Sequence, residues 1–374
     1  MITRLIESCI ESHLFKGKVL LIYGARQVGK TTLVKKLCQR FPGSLYLNCD
    51  EPDIRASLEN RTSTELKAFV GDHRLIVLDE AQRIPNIGLT LKLWVDQFPD
   101  VQIIATGSSS FELSDSVQEP LTGRKKEFHL FPISLEEIKA HSSQTEAHRL
   151  LERRLIVGSY PEIVQKEGPE AESLIRDIAA SYLYKDILMF HRIRNPEVLT
   201  RLLQALALQL GQEVSNNELS QLLGIDKNTV ASYIHILEQN FVIFRLTSFS
   251  RNLRNELKKS QKIYFYDNGI RNAILNQFGP LALRQDIGAL WENLMISERI
   301  KFHSNRLLVV NRYFWRSHSQ QEIDYLEEDG GLLRAFEFKW KSKKQSIPPL
   351  FSRAYPDTPF AKITSEDYWR FVAE

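Results

Sequence analysis

The sequence predicts an α/β protein of more than one domain, and three observations predict it. Residues 1 to about 190 alternate short apolar runs with helical stretches, the grammar of a mostly parallel sheet covered by helices. Residues 197 to about 260 read as a compact helical module with a strand behind it. From about 262 onward come strands, a long helix over 283–303, and three strands at 310–316, 321–327 and 332–340. At 374 residues the chain is long enough for two or three such units.

Composition sets a frame without naming a task. The apolar fraction is 43% and the charged fraction 25%, ordinary for a soluble globular protein. A net charge of +3 is too small to name a partner, so local clusters carry more weight. Cys9, Cys38 and Cys49 form no C-x-x-C pair and have no histidines at metal-ligand spacing. Structural zinc and a disulfide framework are therefore not expected, and a reducing cytoplasm is. The opening stretch MITRLIESCIESHLFKGK carries Glu7 and Glu11 and no small-residue cleavage site, so it reads as an amphipathic helix rather than a signal peptide. Runs such as VLLIYGA and LIVL are far too short to span a bilayer, so no membrane association is expected.

In the first segment, strands are expected at KVLLIYG, SLYLNCD, HRLIVLDE, VQIIATGS and KEFHLFPI. The stretch GARQVGKT (24–31) follows the first of these and opens a helix, matching G-x-x-x-x-G-K-[ST] in the setting that motif requires. Backbone N–H groups of Gly24, Ala25, Arg26, Gln27, Val28 and Gly29 would close around phosphate oxygens, and Thr32 continues the helix whose N-terminus faces them. Lys30 would reach the β- and γ-phosphates of ATP, and the Thr31 hydroxyl would ligate Mg2+. A buried strand ending in two carboxylates, LIVLDE (75–80), needs a reason, because buried charge is costly unless paired or metal-bound. Asp79 would hold Mg2+ directly or through water, and Glu80 would polarise the attacking water as general base. Ser108, at the end of VQIIATGSSS, is a candidate for sensing the γ-phosphate or positioning the water, with a plain Gly/Ser turn as the alternative. Arg124 in LTGRKKEF is a candidate arginine finger, in cis or from a neighbouring subunit; a solvated basic run of Arg124, Lys125 and Lys126 is the alternative. Arg153, Arg154 and Arg192 compete for the finger role.

Beyond about 134 the strands give way to helical periodicity, as in SLEEIKAHSS and AESLIRDIAASYLYKDILMF, which reads as a helical lid. Pro196 in RNPE breaks the pattern and marks a boundary. The expected domains are thus 1–133 for the P-loop core, 134–194 for the lid, 195–260 for the helical module and 261–374 for the last α/β domain.

Within the helical module, Ser215 with Glu218 three residues on suggests a capping box, followed by the apolar stripe Leu219, Leu222 and Leu223. Gly224 breaks the helix, and Asp226 caps the next, where Val230, Ile234 and Leu237 repeat at helical spacing. This is helix–turn–helix grammar, and the strand FVIFRLTSF behind it suggests a winged helix. Lys227, Asn228, Thr229, Ser232 and Tyr233 on the second helix are candidate DNA contacts, with Arg251, Arg254, Lys258, Lys259 and Lys262 placed to track phosphates. Such contacts suit phosphates better than a base code, so any sequence preference should be weak. Winged helices also serve as protein-binding modules, and that alternative stays open.

The run AFEFKW (335–340) alternates Phe336, Phe338 and Trp340 on one face with Glu337 and Lys339 on the other. Asp324, in the preceding strand QQEIDYLEE, lies thirteen residues before Glu337 across the turn EEDGG and shares a face with Glu322. Glu292 sits on the long helix. Asp324 and Glu337 would hold one or two Mg2+ ions through hard oxygens, Glu292 would complete the shell, and Lys339 would orient the nucleophile or offset negative charge. The alternative is a solvent-facing surface pair. This order of Glu, Asp and Glu-x-Lys resembles the PD-(D/E)xK nuclease fold.

GARQVGKTTL, VLDEAQRIP, ATGSSSFEL, LTGRKKEFHLFPIS, GSYPEIV and YLYKDIL together resemble a family of bacterial and archaeal AAA-type (AAA+) ATPases, over essentially the whole chain. Its members carry a C-terminal domain of unknown function related to PD-(D/E)xK nucleases. The resemblance implies an ATP-driven oligomeric machine and names no substrate. Three readings follow: a DNA-acting motor with a metal-dependent nuclease, a DNA-remodelling ATPase without cleavage, and a signalling or scaffold ATPase with protein partners.

Overall fold

The computed structural model describes residues 2–108, 121–181, 195–250, 260–341 and 346–373. These fall into two compact units. The first comprises Met1–Phe131, Gln239–Phe241 and Ser304–Arg306, and the second Pro132–Glu238, Val242–His303 and Leu307–Glu374.

The first unit begins with α1 (Ile6–Glu11), β1 (Val19–Tyr23), α2 (Lys30–Arg40) and β2 (Leu45–Asn48). It continues through α3 (Pro52–Leu58), α4 (Ser63–Val70), β3 (Leu75–Asp79), α5 (Ile87–Gln97), β4 (Gln102–Gly107) and β5 (Lys125–His129). The strands form one parallel sheet in the order β2-β3-β4-β1-β5. β1, β3 and β4 are buried along their whole length, as central strands covered on both faces must be. β1 leads by α2 to the edge strand β2, whereas β4 and β5 flank β1 on its two sides, so the chain reverses its winding at β1. Open sheets of this kind bind ligands at the carboxyl ends of the strands where that reversal occurs. In α1, Ile6 and Ile10 are buried, and the buried Glu7 carboxylate is held by Lys36 at 2.8 Å and Arg40 at 2.9 Å.

The second unit opens with short helices, α6 (Leu135–His141), α7 (Gln144–Arg149), α8 (Leu151–Val157) and α9 (Pro161–Val164), then α10 (Gly168–Ser181). Next come α11 (Pro196–Leu208), β6 (Glu213–Val214), α12 (Asn216–Leu223), α13 (Lys227–Gln239), β7 (Ile243–Ser248), β8 (Gln261–Phe265) and α14 (Asn268–Leu275). The chain ends with α15 (Ile287–Asn305), β9 (Asn311–Arg316), β10 (Glu322–Asp329), β11 (Leu332–Lys339), α16 (Pro349–Ala354), β12 (Phe360–Thr364) and α17 (Trp369–Ala373). Seven strands form one mixed sheet in the order β12-β11-β10-β9-β7-β8-β6.

That sheet runs through the expected boundary between 260 and 261. The boundary falls inside the antiparallel pair β7–β8, where Ile243 to Thr247 face Phe265 to Gln261, and β7 in turn pairs with β9 in parallel. The helical module and the last α/β segment therefore share one sheet. Sequence spacing cannot reveal this, because β7 pairs in parallel with β9, a strand far along the chain. The helices from α6 to α10 also belong to this unit. They are tied in by Asp267, which caps α14 by accepting from the backbone N–H of Gly269 (2.8 Å) and of Ile270 (3.3 Å), and also takes the N–H of Ser159 at 2.7 Å. The approach needs Gly158 to have no side chain: a Cβ there would lie 1.9 Å from Asp267 Oδ1.

Three local expectations change in detail. Ser215 caps α12, but Glu218 completes no reciprocal box; its carboxylate accepts from Gln209 instead. Leu219 and Leu223 are buried while Leu222 is 56% exposed, so the apolar stripe is narrower than the pattern suggests. In β10 the pairing with β9 slips by one residue between Ile323 and Leu326. This bulge sets Ile323 and Leu326 in one core cluster with Trp315, Ala335 and Phe351, and strict alternation fails at Asp324 and Tyr325.

Gly158 and Gly224 both have positive φ, 77° and 69°, but only Gly158 has a neighbour within reach of a Cβ. Gly224→Ala should therefore cost about 1 kcal/mol from backbone strain. Gly158→Ala should cost several-fold more, read as a much larger fall in the denaturant midpoint of this unit.

Candidate functional site

The loop after β1 is shaped to hold phosphate. Gln27 and Gly29 adopt positive φ, 58° and 97°, which turns the chain sharply into α2. At Gly24 a Cβ would lie 2.2 Å from the Leu130 carbonyl oxygen, so only glycine lets the loop start this close to the end of β5. Lys30 is buried, and its ammonium donates to the carbonyls of Gly24 (2.9 Å) and Ala25 (3.0 Å), with Glu80 Oε1 at 3.9 Å. Those carbonyls hold the cation beside the loop's inner side, where a phosphate would compete for it. Of the other loop residues, Ala25 and Val28 are buried, Arg26 is half-buried, and Gln27 and Thr32 are exposed. Arg4, which sequence reasoning missed, braces the loop from outside by donating to Val28 O at 2.7 Å and Phe131 O at 2.6 Å.

Asp79 ends β3 with 2% of its surface exposed and accepts three hydroxyls. Thr31 Oγ1 donates to Oδ2 at 2.6 Å, Tyr46 OH to the same oxygen at 2.7 Å, and Thr106 Oγ1 to Oδ1 at 2.5 Å. A hydroxyl and a carboxylate oxygen thus stand side by side at the start of α2, the hard donors Mg2+ takes, so these residues fit that ion. Glu80 adopts the left-handed conformation (φ 56°, ψ 45°), rare for a residue with a Cβ. Its backbone N–H donates to Thr106 Oγ1 at 3.0 Å, and its carboxylate accepts from Gln82 Nε2 at 2.5 Å. Gln82 also donates to Ser108 Oγ at 3.1 Å, so Glu80 and Ser108 meet through one amide. Tyr46, Gln82 and Thr106 carry no motif signal of their own; only their hydrogen bonds to the acidic pair point to them.

The candidate arginines fare differently. β5 runs parallel to β1 with Lys125 opposite Val19, so Arg124 lies at the amino end of the sheet and pairs with Asp96 at 2.6 Å. The phosphate loop leaves the other end, about 13 Å away over four residues of strand. Arg124 is therefore not a finger for its own subunit. Arg154 is fully buried, donating to Gly158 O at 3.2 Å and Val164 O at 3.4 Å, and so is structural. Arg153 donates to Ile163 O at 3.3 Å. Arg192 lies outside the described residues, as do Arg251, Arg254, Lys258 and Lys259. On the first turns of α13, Lys227, Asn228 and Ser232 are exposed and Thr229 and Tyr233 half-buried.

Lys262 does not track a surface. It is 2% exposed, on β8, and ion-pairs with Glu322 and, at 3.4 Å, with Glu292. Tyr264, next on the same face of β8, donates to Glu292 Oε1 at 2.5 Å. Glu292, Asp324, Glu337 and Lys339 do converge, lining a cleft of about 580 Å3 together with Lys262 and Glu322. Glu337 is buried while Lys339 on the same face is part exposed, so Glu337 does not simply face water. Lys339 Nζ sits 2.7 Å from Glu337 and 3.9 Å from Asp324, which also accepts the Phe338 N–H at 2.8 Å. Burial, then Glu292 and Glu337 beside it, push the Asp324 carboxyl well up; burial foremost raises Glu292. Burial opposes the charge of Lys262, but Glu292 and Glu322 outweigh it and hold the ammonium above its ordinary range. In donor type Asp324 and Glu337 fit a hard divalent cation, yet among the described residues no three His, Cys, Asp or Glu side chains are gathered to hold one. In this arrangement the two lysines take up the carboxylates' charge.

Replacing Lys262 by Met should destabilise the second unit by about 3–5 kcal/mol, because Glu292 loses its buried counter-charge. The double variant Lys262→Met with Glu292→Gln should recover part of that loss in denaturant unfolding.

Among the described residues no helix is long and apolar enough to cross a membrane. Residues 16–139 match the family described as an AAA domain. Residues 148–280 and 287–363 match two families described as domains of unknown function, DUF8612 and DUF4143. An uncharacterized protein of Mycobacterium tuberculosis is 27% identical over 356 residues, covering 94% of this chain and 76% of that protein. An uncharacterized protein of Methanocaldococcus jannaschii is 25% identical over 407 residues, 97% of this chain and 88% of its own length. Among solved structures, the chain is similar in fold to the Walker-type ATPase paby2304 of Pyrococcus abyssi, with a TM-score of 0.50 and 16% identity over 74% of this chain and 96% of that one. With the phosphate loop, the buried Asp79 and the adjoining Glu80, the AAA match makes this chain a P-loop ATPase.

Proposed function

We propose that this ATPase works on DNA, duplex or branched and with weak sequence preference, as a homo-oligomer whose second unit carries a PD-(D/E)xK-like cleft. The observation that carries the reading is the convergence of Glu292, Asp324, Glu337 and Lys339 from a helix and two strands on one cleft. The element order α11-β6-α12-α13-β7-β8 supports reading this stretch as a winged helix, and the exposed first turn of α13 supports a DNA-facing role.

In the ATPase cycle, Lys30 leaves the Gly24 and Ala25 carbonyls to neutralise the β- and γ-phosphates. Glu80 accepts a proton from the attacking water once Gln82 releases its carboxylate, and Ser108, on the same amide, orients that water. Mg2+, when held by Thr31 and Asp79, would offset charge on the phosphates. An arginine finger, if Arg124 serves as one, comes from a neighbouring subunit. In the second unit, Asp324 and Glu337 would hold a divalent cation that activates water, and Lys339 would steady the negative charge that develops.

A second reading, DNA binding and remodelling without cleavage, is favoured by one observation: Lys262 and Lys339 already engage carboxylates of the cleft.

Lys30→Ala should reduce ATP turnover at least about a hundredfold. Cleavage of linear, nicked, forked and four-way-junction DNA with Mg2+ or Mn2+ should be lost in Lys339→Ala. DNA binding should weaken steeply with salt. Junction-stimulated ATP turnover without cuts would select the remodelling reading. ATP turnover indifferent to DNA would overturn both and point to protein partners.

A further inference from the structure

The three hydroxyls on Asp79 come from three elements with different duties. Thr31 opens the helix that follows the phosphate loop, and Thr106 lies on the adjacent central strand. Tyr46 comes from β2, the edge strand, whose pairing with β3 sets Asn48 beside Asp79. Two residues before that end, the Tyr46 side chain reaches across to Asp79 Oδ2, the oxygen Thr31 already uses. A carboxylate offers about four acceptor positions. Thr31, Tyr46 and Thr106 fill three of them, which prevents the group from turning about its own bond.

Tyr46 is itself held. The Lys35 ammonium, one turn along α2 from Thr31, sits 4.9 Å from the centre of its ring. The Tyr46 hydroxyl reaches the group that would share the cation with Thr31.

We propose that Tyr46 is a positioning residue for ATP hydrolysis, fixing the Asp79 carboxylate so that it and the Thr31 hydroxyl present one prearranged pair of oxygens to Mg2+. The proposal rests on Thr31 and Asp79 being the holders of that ion. Without the phenol, Oδ2 loses a donor and the carboxylate gains a freedom that cation binding must then remove. Nucleotide binding without the cation makes no use of Asp79, so the loss should appear only in the Mg2+-dependent part of affinity.

The test is the dissociation constant of a fluorescent ATP analogue, measured in EDTA and in Mg2+, for the full chain and for Tyr46→Phe, Thr31→Ala and the double variant. Wild type should bind more tightly in Mg2+. Tyr46→Phe should keep its EDTA constant within about twofold and lose roughly tenfold of the Mg2+-dependent tightening, the size expected for one hydrogen bond to a charged group. The double variant should lose no more than Thr31→Ala alone, since both act through one carboxylate oxygen. Equal weakening of Tyr46→Phe in EDTA and Mg2+ would mean a merely structural role and overturn the proposal. Unchanged tightening in Tyr46→Phe, or additive losses in the double variant, would overturn it too and leave the Thr31 and Asp79 assignment standing. Absence of Mg2+-dependent tightening in wild type would remove that assignment and the proposal with it.

Discussion

Asp79 is a carboxylate buried at the end of a central strand, and much of the first unit's working end is arranged to satisfy it. Its donors arrive from the start of α2, from β2 and from the end of β4, so one charge ties three neighbouring elements together. Oδ2 has two of these donors and Oδ1 only Thr106, so losing the Thr106 hydroxyl would strand a buried acceptor, at a cost of about 1–3 kcal/mol. Thr106 extends the constraint by accepting the Glu80 N–H, which holds the next residue in a left-handed backbone. A strained residue at this position persists only because its surroundings overdetermine it, and it aims the Glu80 carboxylate toward Lys30 and Gln82.

The second unit meets the same physical problem with cations in place of hydroxyls. Four carboxylates from α15, β10 and β11 crowd one cleft, and Lys262 and Lys339 keep them from repelling one another apart. Lys262 reaches the cleft because β8 lies two strands from β9 in a single sheet. Lys262, which reads in sequence as a phosphate-tracking residue just past the wing strand, is thus an interior residue of this cleft. The bulge in β10 adds a second non-local effect, since it breaks the alternation at Asp324 beside the cleft.

Much of this was legible in the chain itself. The strand, glycine loop and helix around Lys30 are contiguous, so their geometry follows from local backbone preferences and one dipole. The acidic pair at Asp79 and Glu80 is equally local, as are the helix caps at Ser215 and Asp226 and the alternation that puts Glu337 and Lys339 on one face. What only the tertiary structure decided are contacts between residues far apart in sequence. Tyr46 and Thr106 are 33 and 27 residues from Asp79, and Lys262 is 30 residues from Glu292. The end of the sheet that Arg124 occupies, the burial of Arg154 and the extra residue in β10 depend on register and packing. No periodicity in a linear sequence encodes them, because each is set by which strand lies beside which.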